Sequence, residues 1–422
     1  IVSETLIQLQ GVSKTYPGSK APAVSDLDLE IKKGEILVLV GPSGCGKSTT
    51  LRLINRMIEP TAGRIIFEGK DVTNVNPDQL RRQMGYVIQQ IGLFPHRNIY
   101  QNIATVPRLL GWNKSDIEER AKYLLTMVGM DPEQYLSRYP KELSGGQAQR
   151  VGVARALAAD PDVLLMDEPF GAIDPITRDR LQNEFLRLQA ELQKSIVFVT
   201  HDIDEAVKMG DKIAILREQS KVAQLDTPTN ILASPANAFV KEFLGSGALL
   251  KGLTLERVRD LDIPQYPTVS LPADRPKVLA ALEQADDDWV VLLDEQRRPI
   301  RWLDREAVEG GKSSIAQSGL PVRVAVESDH TLRDALESMI RSTYGSAVVV
   351  NTDGTYRGVI TLEALAEMVR KTEATARDEQ AVYRAEARRA AAAGVDAPTV
   401  DPTADLATHA SARNGDTAKG TS

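Results

Sequence analysis

Short unbroken apolar runs alternate with stretches of helical period over the first half of the chain. Residues 36–40 (ILVLV), 163–166 (VLLM) and 196–199 (IVFV) are apolar at every position, the mark of strands buried on both faces. Between them, Leu51, Ile54, Met57 and Ile58 of LRLINRMI fall on one face of a helix. SDIEERAKYLLTMVGM (115–130) opens with Ser115 and Glu118 in the spacing of an N-cap and its N3 partner, a helix start. Buried strands alternating with helices predict an α/β domain on a mostly parallel sheet.

The second half has a different rhythm. VVLLDEQRRPIRWLDREAV, from Val290, aligns without gaps to AVVVNTDGTYRGVITLEAL, from Ala347, so the offset is 347 − 290 = 57 residues. Each copy predicts strand, polar turn, strand and helix start. GSGALLKG (245–252) reads as a linker before them. After Thr361 an alanine- and glutamate-rich stretch predicts a helix that stops at Gly394, and the remainder lacks aromatics and large apolar residues, the composition of a disordered tail. The expected organisation is an α/β domain over 1–245, a tandem α+β pair over 246–374, a helical extension over 375–393 and a disordered tail over 394–422.

Composition excludes several classes. The chain has 422 residues, enough for two or three domains. Its one cysteine, Cys45, permits no disulfide within the chain, which suits a reducing compartment. No apolar run approaches the ~20 residues needed to cross a bilayer, and the amino terminus shows no signal-peptide pattern. The protein is expected to be soluble or peripherally attached. With 58 acidic against 51 basic residues the net charge is −7, which gives no footprint for nucleic acid.

The chemistry-bearing residues stand where the apolar runs end. GPSGCGKSTT (41–50) places Gly41, Pro42, Ser43, Gly44, Cys45 and Gly46 between a strand and a helix that opens with Lys47, Ser48 and Thr49. This is the P-loop spacing: small residues let backbone N–H groups wrap phosphates at a helix amino terminus, Lys47 reaches the β- and γ-phosphates, and Ser48 ligates Mg²⁺. Asp167 and Glu168 close the run at 163–166, at the sheet edge where ligands sit in parallel α/β folds. Asp167 is the candidate Mg²⁺ holder and Glu168 the candidate base for the attacking water. His201 ends the run at 196–199, Gln89 follows the short strand in GYVIQ, and Tyr16 stands in KTYPG. A second small-residue stretch, ELSGGQAQR (142–150), repeats the anion-binding chemistry before another helix.

Together these motifs resemble the ABC-type ATPases over about residues 5 to 245. Tyr16 matches the aromatic that stacks on adenine, Gly41 to Ser48 the Walker A loop, and Gln89 the Q-loop, a catalytic and Mg²⁺-contacting residue. Leu143 to Gln147 match the signature motif, Val163 to Glu168 Walker B, Asp174 the D-loop and His201 the switch histidine. The resemblance implies a RecA-like core with a helical subdomain, ATP and Mg²⁺ as cofactors, and catalysis by Glu168, His201, Gln89 and Lys47. It also implies a head-to-tail dimer in which Ser144, Gly145, Gly146, Gln147 and Asp174 serve the nucleotide of the other subunit. The D-loop here reads GAID where many members have serine first, so a contact by that serine is not carried over. Membrane permease subunits are expected to dock through coupling helices in a groove near Phe94 and Pro95.

The repeat resembles a pair of CBS domains, which often hold adenine nucleotides between them. In the second copy Gly358, Thr361 and Glu363 come close to that family's pattern of glycine, then threonine or serine, then an acidic residue for ribose, with Glu363 where aspartate is usual. The first has Arg301 and Asp304 at the corresponding positions of Gly358 and Thr361, and is expected to be structural. An ABC ATPase followed by CBS domains resembles the energising subunit of importers for glycine betaine, carnitine, choline and related compatible solutes. The implied setting is the cytoplasmic face of the membrane, beside a permease and an extracytoplasmic solute-binding protein. Competing readings are an importer of an amino acid or another small polar solute, and a nucleotide sensor without turnover; the presence of both Glu168 and His201 argues against the sensor.

Overall fold

The computed structural model describes residues 4–371 apart from 89–91, 172, 246, 262, 286–287 and 311–313, together with 374, 375 and 378. The chain divides into two compact units, one reaching to Gly245 without 232–234, the other taking 232–234 and residues from 246 up to 384.

The first unit holds β1 (Thr5–Lys14), β2 (Val24–Lys32), β3 (Ile36–Val40), β4 (Ala62–Phe67), β5 (Lys70–Asp71), β6 (Met84–Val87), β7 (Val163–Asp167), β8 (Ser195–Thr200), β9 (Lys212–Arg217) and β10 (Lys221–Asp226). The order β10-β9-β3-β8-β7-β6 makes a six-stranded sheet, parallel except for the β10 edge. β2-β1-β4-β5 is a separate antiparallel sheet. Every residue of β3, β7 and β8 is buried, because the parallel sheet is covered on both faces. Leu37 and Leu39 enter a core with Ile7, Leu9 and Ile31 of the antiparallel sheet and Leu51 and Ile54 of the helix Lys47–Ile54. Each such fully buried side chain contributes about 1.5–3 kcal/mol, so the helix and the strand before it are fixed on one frame.

Two local expectations change. The helix Lys47–Ile54 stops before Met57, which is 52% exposed; Arg56 turns the chain at φ 52° and Asn55 Oδ1 accepts from the Met57 amide at 3.0 Å. The helix Lys114–Met127 is capped by Asn113, whose Oδ1 accepts from the Asp116 amide at 2.9 Å, so Ser115 sits inside the first turn and is not the cap. Among the described residues no helix is long and apolar enough to cross a membrane.

The second unit holds β11 (Thr268–Ser270), β12 (Trp289–Leu293), β13 (Pro299–Asp304), β14 (Leu320–Pro321), β15 (Ala325–Glu327), β16 (Ala347–Val350) and β17 (Tyr356–Ile360). Its sheets run β11-β12-β13-β14 and β15-β16-β17. Adding 57 to the bounds of β11 gives those of β15 (268 + 57 = 325, 270 + 57 = 327), and the helices Arg275–Glu283 and Leu332–Arg341 follow in step. The repeat therefore begins earlier than its clearest sequence match. On β12, Val290 and Leu292 pack into the first copy's own core, while Val291 and Leu293 meet Val348 and Val350 in a core shared by both copies. Alternation across a strand explains why this run is apolar throughout. GSGALLKG carries a short helix, Ala248–Gly252, where a linker was expected. The helical extension expected over 375–393 and the tail over 394–422 lie outside the described residues, except for 375 and 378.

Candidate active site

Loop 41–46 leaves β3 at the carboxyl edge of the parallel sheet, where β7 and β8 also end. Close approach demands glycine at two positions. A Cβ on Gly41 would stand 2.2 Å from the Leu216 carbonyl oxygen; one on Gly46, at φ +111°, would stand 2.2 Å from Ser220 Oγ and 2.6 Å from the Ala23 carbonyl. Pro42, Ser43 and Gly44 form the exposed rim, while Cys45 is buried, and burial pushes its thiol pKa up. Lys47, 6% exposed, donates to the carbonyls of Gly41 at 2.7 Å and Pro42 at 2.9 Å. The amides of Lys47, Ser48 and Thr49 head the helix without intrahelical acceptors, which makes them anion donors.

Two pairs of side chains close beside this loop. Ser48 Oγ donates to Asp167 Oδ1 at 2.9 Å. Burial pushes the Asp167 carboxyl above its ordinary range, opposed by the Ser48 hydrogen bond and by the charges of Arg52 and Lys47. Glu168 leaves β7 at φ 46° with its amide on the Val199 carbonyl at 2.9 Å. Its Oε1 is 3.2 Å from His201 Nδ1, the carboxylate side chain 19% exposed and the imidazole 58%. β8 lies between β3 and β7, so Lys47, Asp167, Glu168 and His201 all leave neighbouring strand ends on one edge.

Other residues singled out from sequence lie around this centre. Tyr16, 39% exposed, is in the β1–β2 loop, whose far end, Ala23, is packed against Gly46. Gln89 lies outside the described residues; β6 carries the chain to Val87 at the same edge. Ser144 and Gln147 form a reciprocal capping box on the helix Gly145–Leu157, with Gln147 Oε1 accepting from the Ser144 amide at 2.9 Å. A Cβ on Gly145 would meet nothing within 4 Å, whereas one on Gly146 would come within 3.3 Å of Thr177 Cγ2. Asp174 caps the helix Pro175–Leu192, and hydrogen bonds from Thr177 hold its carboxyl below the usual range. The depression beside Ser144 is lined by Gly146, Gln147, Ile176, Thr177 and Arg180 and by no residue of loop 41–46. Phe94 and Pro95 are exposed on a loop tied to fully buried Asn102, which bonds both the amide and the carbonyl of Phe94.

Ser220 escaped the sequence reading. Fully buried in the turn between β9 and β10, it donates its amide to the Cys45 carbonyl at 2.7 Å and lies 3.0 Å from Thr50 Oγ1. It braces the junction of loop and helix. REQSKV (217–222) looks like a polar hairpin turn, and no local pattern marks a serine whose partner is 170 residues away.

The space at Gly358 is taken by the chain itself: a Cβ there would lie 2.6 Å from Ile263 Cγ2 and 2.8 Å from the Pro264 carbonyl oxygen. Packing against Ile263 and Pro264 therefore needs glycine at 358. Thr361 accepts from the Ala364 amide at 3.3 Å as a helix cap, and Glu363 is exposed. In the first copy Arg301 donates to the Gly319 carbonyl at 2.9 Å, and Asp304 accepts from the Ala307 amide and the Tyr344 hydroxyl, each at 2.7 Å. Both are consumed by the fold.

Comparison with known proteins places these features together. Residues 24–171 match the family model described as ABC transporter, and residues 320–371 match the CBS domain. The glycine betaine/carnitine/choline transport ATP-binding protein of Bacillus subtilis is 44% identical over 368 residues, covering 86% of this chain and 96% of that protein. The osmoprotectant import ATP-binding protein of Salmonella typhimurium is 42% identical over 367 residues, again 86% and 96%. The solved structure of CbiO1 from Clostridium perfringens, part of an ABC transporter complex, aligns with TM-score 0.51 at 25% identity over 60% of this chain and 95% of that one.

Proposed function

This chain belongs to the ATP-binding subunits of ABC transporters, and from that membership we propose that it hydrolyses ATP with Glu168 and His201 to drive uptake of a quaternary-amine compatible solute. The observation that carries the catalytic part is the pairing of Glu168 with His201 at 3.2 Å, one strand away from loop 41–46. ATP lies with its phosphates on loop 41–46 and Lys47, and its adenine against Tyr16. Ser48 and Asp167, with Gln89, hold Mg²⁺; two oxygens converging at 2.9 Å are the hard donors this ion selects. When bound, the ion neutralises phosphate charge. Glu168 takes the proton of the attacking water, and His201, held by that carboxylate, donates toward the γ-phosphate.

A second copy completes each site. Ser144, Gly146 and Gln147 line a depression that holds no residue of loop 41–46, and with Gly145 and Asp174 they serve the partner's nucleotide, so ATP joins two subunits and its hydrolysis releases them. Permease subunits dock near Phe94 and Pro95, which places the chain on the cytoplasmic face of the membrane, with a solute-binding protein on the other side. The solute assignment rests on the two relatives that cover 86% of this chain.

The repeat is the regulator. A nucleotide at the second copy and ionic strength are its two candidate signals, since salt screens exposed charges that stand farther apart than a Debye length of about 8 Å. The test is uptake of radiolabelled glycine betaine, carnitine and choline by vesicles holding the permease, the binding protein and this chain, at low and high internal salt. The expected result is ATP-dependent uptake of at least one of them that rises with salt. Hydrolysis indifferent to all three and stimulated by another solute would overturn the assignment.

A further inference from the structure

Helices Pro175–Leu192 and Ile203–Met209 meet through a polar contact that the hydrolytic reading leaves without a task. Gln182 and Glu205 are 5% and 7% exposed, and Gln182 Nε2 donates to Glu205 Oε1 at 2.9 Å. Leu181, Phe185 and Leu188 are buried along the same helix, and the Glu205 carboxylate also feels Thr200, Asp202 and Arg178. An aliphatic pair of equal size would hold the helices together at least as well, because burying a carboxylate carries a desolvation cost that apolar packing avoids. What an aliphatic pair lacks is register, since packing tolerates sliding that a 2.9 Å hydrogen bond does not.

Each helix carries one moving part of the proposed site. Asp174 caps Pro175–Leu192, and Gln182, eight residues on, is about 12 Å along the axis. On the other side, Thr200 Oγ1 accepts from the Asp202 amide at 3.1 Å, and Asp202 Oδ1 caps Ile203–Met209 through the Asp204 amide at 2.8 Å. Burial raises the Glu205 carboxyl above its usual range, against hydrogen bonds from Thr200 and Gln182. Residues 200–205 are thus a closed knot, and His201 is the side chain that leaves it toward Glu168. Lys208 Nζ adds a second, more exposed tie to Asp179 Oδ1 at 2.6 Å.

We propose that Gln182 and Glu205 are a positioning pair that fixes the register between the Asp174 segment and His201, so that the imidazole keeps its place against Glu168 when a second copy engages Asp174. The proposal rests on the reading of His201 as a hydrolytic residue and adds the device that places it. Neither residue touches the substrate. Both act through the helices they join.

The experiment uses the full chain with Gln182→Leu, Glu205→Gln and His201→Ala, measuring the hydrolysis rate, the dissociation constant for ATP, cooperativity between sites and Tm. Gln182→Leu removes the donor at near-constant volume and is expected to slow hydrolysis about tenfold, equivalent to about 1.4 kcal/mol, with ATP affinity kept within about twofold and cooperativity lost. Glu205→Gln retains an acceptor for Gln182 and is expected to stay within about threefold of the parent chain, since a neutral acceptor still makes the hydrogen bond. If His201→Ala stalls hydrolysis while Gln182→Leu turns over normally, the positioning role is wrong. Joint loss of rate, affinity and Tm in Gln182→Leu would reduce the pair to a structural contact and also overturn the proposal. Normal turnover in His201→Ala would instead remove the site reading on which the pair depends.

Discussion

Glu168 combines three constraints: a left-handed backbone at φ 46°, an amide fixed on Val199 and a carboxylate 3.2 Å from His201. A non-glycine residue held there costs of order 1–3 kcal/mol, a strain consistent with a carboxylate whose placement matters. Glu168→Gln keeps the shape and loses the proton acceptor, so hydrolysis should fall roughly 10²- to 10⁴-fold while ATP stays bound. Rapid-quench measurement with a filter-binding control checks both, and near-normal turnover would take Glu168 out of the base role. At this scale sequence was informative wherever chemistry imposes a spacing. Lys47, Ser48, Asp167, Glu168 and His201 follow strand ends that the apolar runs announce. Ser220 and the Gln182–Glu205 pair do not, because their meaning lies in partners brought near by folding.

Elements were legible where burial is two-sided and less so at their ends. Five-residue apolar runs such as Ile36–Val40 are stabilised by a covered sheet, and the 57-residue offset gives β11-β12-β13 and β15-β16-β17 the same order, with β14 added to the first sheet. Caps depend on which of several adjacent polar side chains reaches an amide. NKSD offers three candidates within four residues, and Asn113 takes the Asp116 amide. Asn113→Ala should therefore lower stability by about 1 kcal/mol, while Ser115→Ala should fall within about 0.5 kcal/mol of the parent chain. Denaturant midpoints of the two variants decide between them; the reverse order would restore Ser115 as the cap. Gly358 shows the same limit differently: the glycine was visible, but its packing against Ile263 and Pro264 was not.

At the scale of the whole molecule, the central claim is that one chain carries two halves of different sites. Loop 41–46 with Asp167, Glu168 and His201 forms one half; Ser144 to Gln147, around an exposed helix start, forms the other. Gly145 gives a clean lesion, since a side chain there meets nothing within 4 Å in its own subunit. Gly145→Asp should leave the fold intact and repel only a partner's phosphates. The most direct measurement mixes differently tagged Lys47→Ala and Gly145→Asp chains, each inactive alone, and assays hydrolysis after crosslinking verifies that mixed pairs have formed. Hydrolysis is predicted to return to at most about a quarter of the parent rate, because random assortment makes half the twofold pairs mixed and leaves one intact site in each, and any loss of cooperation between sites lowers it further. Mixed pairs that form and still show no hydrolysis would contradict the account.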